Sequence, residues 1–83
     1  MTQTSDFFLQ RAELAKGQAI SVEKDMQYEK AKGLYAHSYR WYKKMVVEYR
    51  DAGDTENQTK YEALALEMKK KYAQMIKKTE TSE

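Results

Sequence analysis

In the first third of the chain, Phe8, Ala12, Ala15, Ala19, Val22 and Met26 recur at alternating spacings of four and three. That spacing places them on one stripe of an α-helix. Carrying the stripe onward would select Glu29 or Lys30 and then Gly33, none of them suited to a core. The phase restarts instead at Tyr28 and Ala31 and continues through Tyr35, Ser38, Tyr42, Met45 and Tyr49. The slip predicts a break near residues 25–27. No Gly or Pro marks it, so the break rests on the phase slip alone and a bent continuous helix stays open as the alternative. The second break is better signed. Asp51-Ala52-Gly53-Asp54 supplies turn residues and a Gly able to take the left-handed conformation after a helix end. Thr55-Glu56-Asn57-Gln58 then fits a capping box, with the Thr hydroxyl and the Gln side chain covering backbone N–H groups at a helix start. A third stripe follows at Tyr61, Ala65, Met68, Tyr72 and Met75, widened by Leu64 and Ile76. Beyond Lys78 nothing remains to bury, and the tail from about residue 79 is expected to fray.

These stripes predict helices over roughly 5–25, 28–50 and 55–78. Matched lengths and short connections imply an all-α fold, an antiparallel up-down-up three-helix bundle with shallow crossing angles of about 20°. Composition agrees. There is no Pro, and Ala, Lys, Glu, Gln, Met and Leu abound, all of which lose little rotamer freedom in a helix. Gly17 and Gly33 fall inside helices, where each is either a tolerated surface position or a point of close helix approach.

Size and charge narrow the function. At 83 residues the chain is a single domain, 1–83, and too small for an enzyme with its own cofactor fold. It has no Cys, so neither a disulfide framework nor a thiolate metal site is available. No apolar run approaches the ~20 residues of a membrane span, and Met1-Thr2-Gln3-Thr4-Ser5-Asp6 lacks the basic and apolar regions of a signal peptide. A soluble, cytoplasmic chain is expected. Its formal net charge of +2 lacks the basic excess of a nucleic-acid binder.

Candidate chemistry is thin. His37 is the only His and has no Cys or second His to complete a metal or nucleophile site. Glu23 with Asp25, or Glu62 with Glu67, are not spaced to share one helix face as an acid–base pair. The isolated glycines form no phosphate loop. The sequence therefore predicts a domain with no catalysis, no metal and no cofactor. Lysines at 43–44, 69–71 and 77–78 read as a solvated face, or as an attraction for acidic peptide or lipid. Seven Tyr, two Phe and one Trp exceed what a lean core needs. They either widen the core or line a groove for an amphipathic partner helix.

Gln27-Tyr28-Glu29-Lys30-Ala31, then Leu34-Tyr35 and onward through Tyr42 and Val46 to Glu48-Tyr49, resembles the second helix of the MIT (microtubule interacting and trafficking) domain. Ala19-Ile20-Ser21-Val22-Glu23-Lys24-Asp25 is similar to the end of that family's first helix, and Ser5-Asp6-Phe7-Phe8-Leu9 to its start in vacuolar-sorting AAA ATPases. The resemblance covers roughly residues 5–78. It implies a three-helix, non-catalytic module whose grooves receive short C-terminal motifs of ESCRT-III subunits, as a helix between helices two and three or as a strand between helices one and three. In the ATPase version helix three carries an aliphatic residue, a Leu, a small Ala and an acidic residue along the helical groove. Leu66 preserves that pattern, whereas Lys69, Tyr72 and Ala73 depart from it. The departure points to a different motif, the other groove, or an acidic partner drawn by Lys69 and Lys70.

The resemblance thus implies an adaptor domain that recruits a larger parent protein, an ESCRT-III-disassembling AAA ATPase, to polymer tails in endosomal transport. Membranes, endosomal ones included, would be reached only indirectly, and the domain itself would be monomeric. The expected peptide-contacting set is Leu66, Lys69, Lys70 and Ala73 of helix three with Tyr39 and Val46 of helix two. The alternatives are a self-associating structural bundle, or a basic module for a membrane surface or acidic ligand.

Overall fold

The computed structural model describes residues 3–81. Met1, Thr2, Ser82 and Glu83 lie outside them, and with them the first positions of the N-terminal stretch and the last of the tail. Three helices follow in order: α1 (Gln3–Lys24), α2 (Tyr28–Asp51) and α3 (Thr55–Thr81). They form an antiparallel up-down-up bundle, a rod of 46 × 18 × 13 Å. Helix α2 packs along both neighbours, while α1 and α3 barely approach one another.

The break between α1 and α2 is a true turn. Met26 adopts φ 61°, the left-handed region, without being Gly. Its N–H bonds to the Glu23 carbonyl and the Gln27 N–H to the Val22 carbonyl, both at 2.9 Å. This paired pattern satisfies the last carbonyls of α1. Gly53, at φ 74°, ends α2 in the same way. There the Gly53 N–H reaches the Arg50 carbonyl at 3.1 Å and the Asp54 N–H the Tyr49 carbonyl at 2.9 Å.

The start of α3 differs from the expected capping box. Asp54, not Thr55, is the capping residue: its carboxylate accepts the Asn57 N–H at 3.2 Å and the Asn57 side-chain amide at 2.8 Å. Gln58 turns forward to Glu62 at 3.3 Å instead of back to the helix start. A carboxylate one position earlier reaches the third N–H of the helix and carries negative charge to the positive end of its dipole, which the Thr hydroxyl lacks. Past residue 78 α3 continues to Thr81, and the Thr79 hydroxyl donates to the Ile76 carbonyl at 2.7 Å.

The stripes converge as their spacing requires. Ala12, Ala15 and Ala19 of α1 are buried against α2, where Ala31, Tyr35, Ser38, Tyr42, Met45 and Tyr49 are buried in turn. Along the middle of this seam α1 offers only methyl groups, with Phe8, Leu9 and Val22 packed partly buried toward its ends, and the buried Ser38 hydroxyl donates to the Ala12 carbonyl at 2.8 Å. The α2–α3 seam is filled by large side chains. Met68 and Met75 are buried there, and Tyr61 stacks on Tyr49, with centroids 5.6 Å apart and planes 6° from parallel. Met26, the last of the first stripe, is exposed at the turn.

Near the C-terminal end of α1 a polar node joins all three helices. The Tyr35 hydroxyl donates to Glu23 Oε1 at 2.6 Å, Lys71 Nζ lies 3.3 Å from the same oxygen, and Lys78 Nζ lies 3.8 Å from Oε2. The Glu23 carboxyl is held below its ordinary range, first by the Tyr35 hydrogen bond and then by the two lysines, against an opposing effect of burial. Burial, reinforced by the neighbouring carboxylate, pushes the Tyr35 phenol well above its ordinary value.

Candidate functional site

The outer flank of the α2–α3 seam carries an open groove of about 320 Å³. Ala36, Tyr39 and Arg40 form its α2 wall, and Lys69 and Tyr72 its α3 wall. Both walls rise because Tyr39 and Tyr72 stand at the boundary of the core, half-buried, with their rings packed against it. The floor is low because Ala36 is small. Continuing the Ala36–Arg40 stripe by helical spacing reaches Lys43 and then Val47, which is 40% exposed. On α3 the matching row holds Leu66, 51% exposed, and the exposed Lys70 and Ala73.

Of the residues singled out by sequence, Tyr39 and Lys69 are brought together in this groove. Leu66, Lys70 and Ala73 lie on the solvent side of α3 beside it. Val46 does not reach it: only 4% exposed, it belongs to the core and offers a partner almost no surface. Ala36 and Arg40 were not anticipated. Their signal is the row 36–40–43–47, with the same four-three spacing as the core stripe but rotated outward by about one residue, ~100°.

Chemically the groove is amphipathic and basic. Among the described residues its charged lining groups are Arg40 and Lys69, with no carboxylate. Two cations flanking two phenol rings suit a ligand with apolar side chains and negative charge, which desolvates its apolar part while its carboxylates stay at the wet rim. Glu23, Tyr35 and Tyr42, whose acidity the fold shifts, lie elsewhere; the Tyr42 phenol is pushed up mainly by burial. Among the described residues no three His, Cys, Asp or Glu side chains gather as a metal site requires. No helix among them is long and apolar enough to cross a membrane.

Compared with family models, curated proteins and solved structures, the chain shows no significant match.

Proposed function

We propose that this chain is a non-catalytic peptide-docking domain of the MIT type, whose α2–α3 groove seats a short helical segment from the C-terminal tail of an ESCRT-III-like protein. On this reading it recruits a larger parent protein, an AAA ATPase, to such tails in the cytoplasm and at endosomal membranes. The observation that carries the reading is the groove itself: paired tyrosines and paired cations on facing helices, open to solvent along the rod. Further support comes from the helix order and from the Tyr28-to-Tyr49 segment, which forms α2 as the resemblance implies. Lys69 and Arg40 favour tail segments rich in Asp and Glu over those that present Arg.

Titration of the labelled domain with a panel of ESCRT-III tail peptides tests this. Leu66→Asp with Ala73→Asp places two carboxylates beside the groove at exposed positions, leaving the core untouched. A loss of affinity of tenfold or more is expected, equivalent to about 1.4 kcal/mol. Unchanged binding by the double variant, or shifts elsewhere on the domain, refutes the groove assignment. The exposed Leu66 and Val47 equally suit self-association of bundles. A concentration-dependent dimer in sedimentation, abolished by Leu66→Asp, would favour that second reading.

A further inference from the structure

The opposite flank of α2 carries a larger depression, about 480 Å³, between α1 and α2. Arg11, Leu14 and Gln18 form one wall, and Lys30 and His37 the other. Ala15 and Gly33 keep its floor low, and a Cβ built on Gly33 would meet nothing within 4 Å. Leu14 stands on the rim, 55% exposed.

At one end the trough runs into an aromatic cluster. The Arg11 guanidinium lies 4.9 Å over the Phe7 ring, and Phe7 meets Trp41 edge to face at 5.6 Å. The Trp41 indole N–H donates to His37 Nε2 at 3.0 Å, fixing the imidazole against the trough wall. Phe7 remains 46% exposed despite these contacts. From Phe7 to Gln18 the surface extends ~16 Å along α1 at ~1.5 Å per residue, which matches three turns of a partner helix.

We propose that this α1–α2 face is a second docking surface, which takes an acidic amphipathic helix from a partner protein. Apolar side chains of that helix, spaced three and four apart, would lie against Phe7, Leu14 and Leu34, and flanking carboxylates would meet Arg11 and Lys30. Charge complementarity selects this occupant. The charged groups lining the trough are Arg11 and Lys30, and Lys44 Nζ sits 6.0 Å from the rings of both Phe8 and Trp41 at the aromatic end. Among the described residues no carboxylate lines it. A second copy of the chain would set like charge on like, because its own corresponding face is basic. A bilayer surface is flat and would touch only the rims, leaving the recessed floor at Ala15 and Gly33 unfilled. The inference is independent of the α2–α3 reading, since it uses other residues on the other flank of α2.

The test uses the full chain and a designed 16-residue helical peptide, with Leu at core-spaced positions and Glu elsewhere, beside its counterpart with Lys for Glu. Resonances of Leu14, Gly33 and the Trp41 indole are expected to shift with the acidic peptide. Affinity should fall at least fivefold between low and 0.5 M salt. Arg11→Glu with Lys30→Glu should lose the acidic peptide tenfold or more and gain the basic one. Gly33→Met, whose Cβ would meet nothing within 4 Å, should abolish the shifts of Leu14 and the Trp41 indole in a folded domain, and Leu66→Asp with Ala73→Asp should leave those shifts unchanged. Shifts confined to the α2–α3 groove, equal binding of both peptides, or indifference to Gly33→Met overturn the proposal. So does a dimer of the chain abolished by Leu14→Asp. Binding to phosphatidylserine vesicles that needs Arg11 and Lys30, and with which the peptide does not compete, overturns it too.

Discussion

Replacing Tyr35 by Phe removes one oxygen from the interior and leaves the ring in place. That oxygen donates the 2.6 Å bond to Glu23, the closest contact in a node that ties α1 to α2 and α3. The Glu23 side chain is 18% exposed, so water replaces the lost donor incompletely. A hydrogen bond to a charged group contributes roughly 1.5–3 kcal/mol. Lys71 at 3.3 Å and Lys78 at 3.8 Å keep the carboxylate partly compensated, which places the expected loss toward the lower end, about 1.5–2 kcal/mol. For a domain of this size that corresponds to a fall in Tm of roughly 6–16 °C. The sign of the pH dependence follows from the lowered Glu23 pKa. Its stabilising contribution is full above the unfolded-state value of about 4.3 and disappears as pH falls through the lower folded-state value. Wild type should therefore lose stability in acid more steeply than Glu23→Gln, and Tyr35→Phe should share the flatter profile because the hydroxyl is the largest cause of the shift. Urea unfolding by circular dichroism at pH 7 and at pH 3, on both single variants and the double variant, measures the coupling. A coupling below about 0.5 kcal/mol at pH 7, or parallel pH profiles for all four proteins, refutes the reasoning.

Two further outcomes concern the helix ends. Met26→Gly should stabilise the domain by about 0.5–1 kcal/mol, because it relieves a left-handed penalty of ~1–2 kcal/mol at the cost of a more flexible unfolded chain. Met26 is 74% exposed and gives up little packing, so a lowered Tm in differential scanning calorimetry would refute this. Asp54→Ala should cost about 1 kcal/mol through loss of the cap, whereas Thr55→Ala should stay within about 0.5 kcal/mol. Equal losses in the two variants by chemical denaturation would restore Thr55 as the cap.

The helices were legible because each core stripe keeps one phase for its whole length. Where the phase slipped, at residues 25–27, a break was legible too, but whether it is a turn or a bend was not. The turn is made by backbone bonds around Met26, and no side chain advertises that arrangement. Asp54 and Thr55 are both competent caps, and only the trajectory of the chain out of Gly53 decides which one faces the helix start. At the α2–α3 groove, Tyr39 was legible as a residue flanking the core stripe, whereas Lys69 was singled out through the resemblance. Val46 was misplaced because Val46 and Val47 are adjacent apolar residues, and a rotation of ~100° puts the first in the core and the second at the rim. The α1–α2 trough was not legible at all. Its depth depends on how closely the alanine face of α1 draws onto α2, which the Ser38 to Ala12 bond reports and composition does not.

The same packing choice explains why the bundle has usable flanks. Small side chains let α1 approach α2, but methyl groups bury little area, so the seam itself contributes modestly, at ~25 cal/mol per Å². Most of the large buried side chains, Tyr35, Tyr42, Met45, Met68 and Met75, belong to α2 and α3. Helix α1 therefore depends on the alanine seam, the partly buried Phe8, Leu9 and Val22, the Phe7 and Phe8 contacts with Trp41, the Ser38 bond and the Glu23 node to stay docked. These attachments occupy the inner side of α1 and both of its ends, and the outer flanks of α2 stay open as grooves. Stability and docking consequently rest on different residues. Tyr35→Phe should lower the unfolding free energy while leaving peptide affinity for the folded domain intact. Gly33→Met and the Leu66, Ala73 double variant should do the reverse, and a bound peptide should raise Tm only in proteins that retain its own groove.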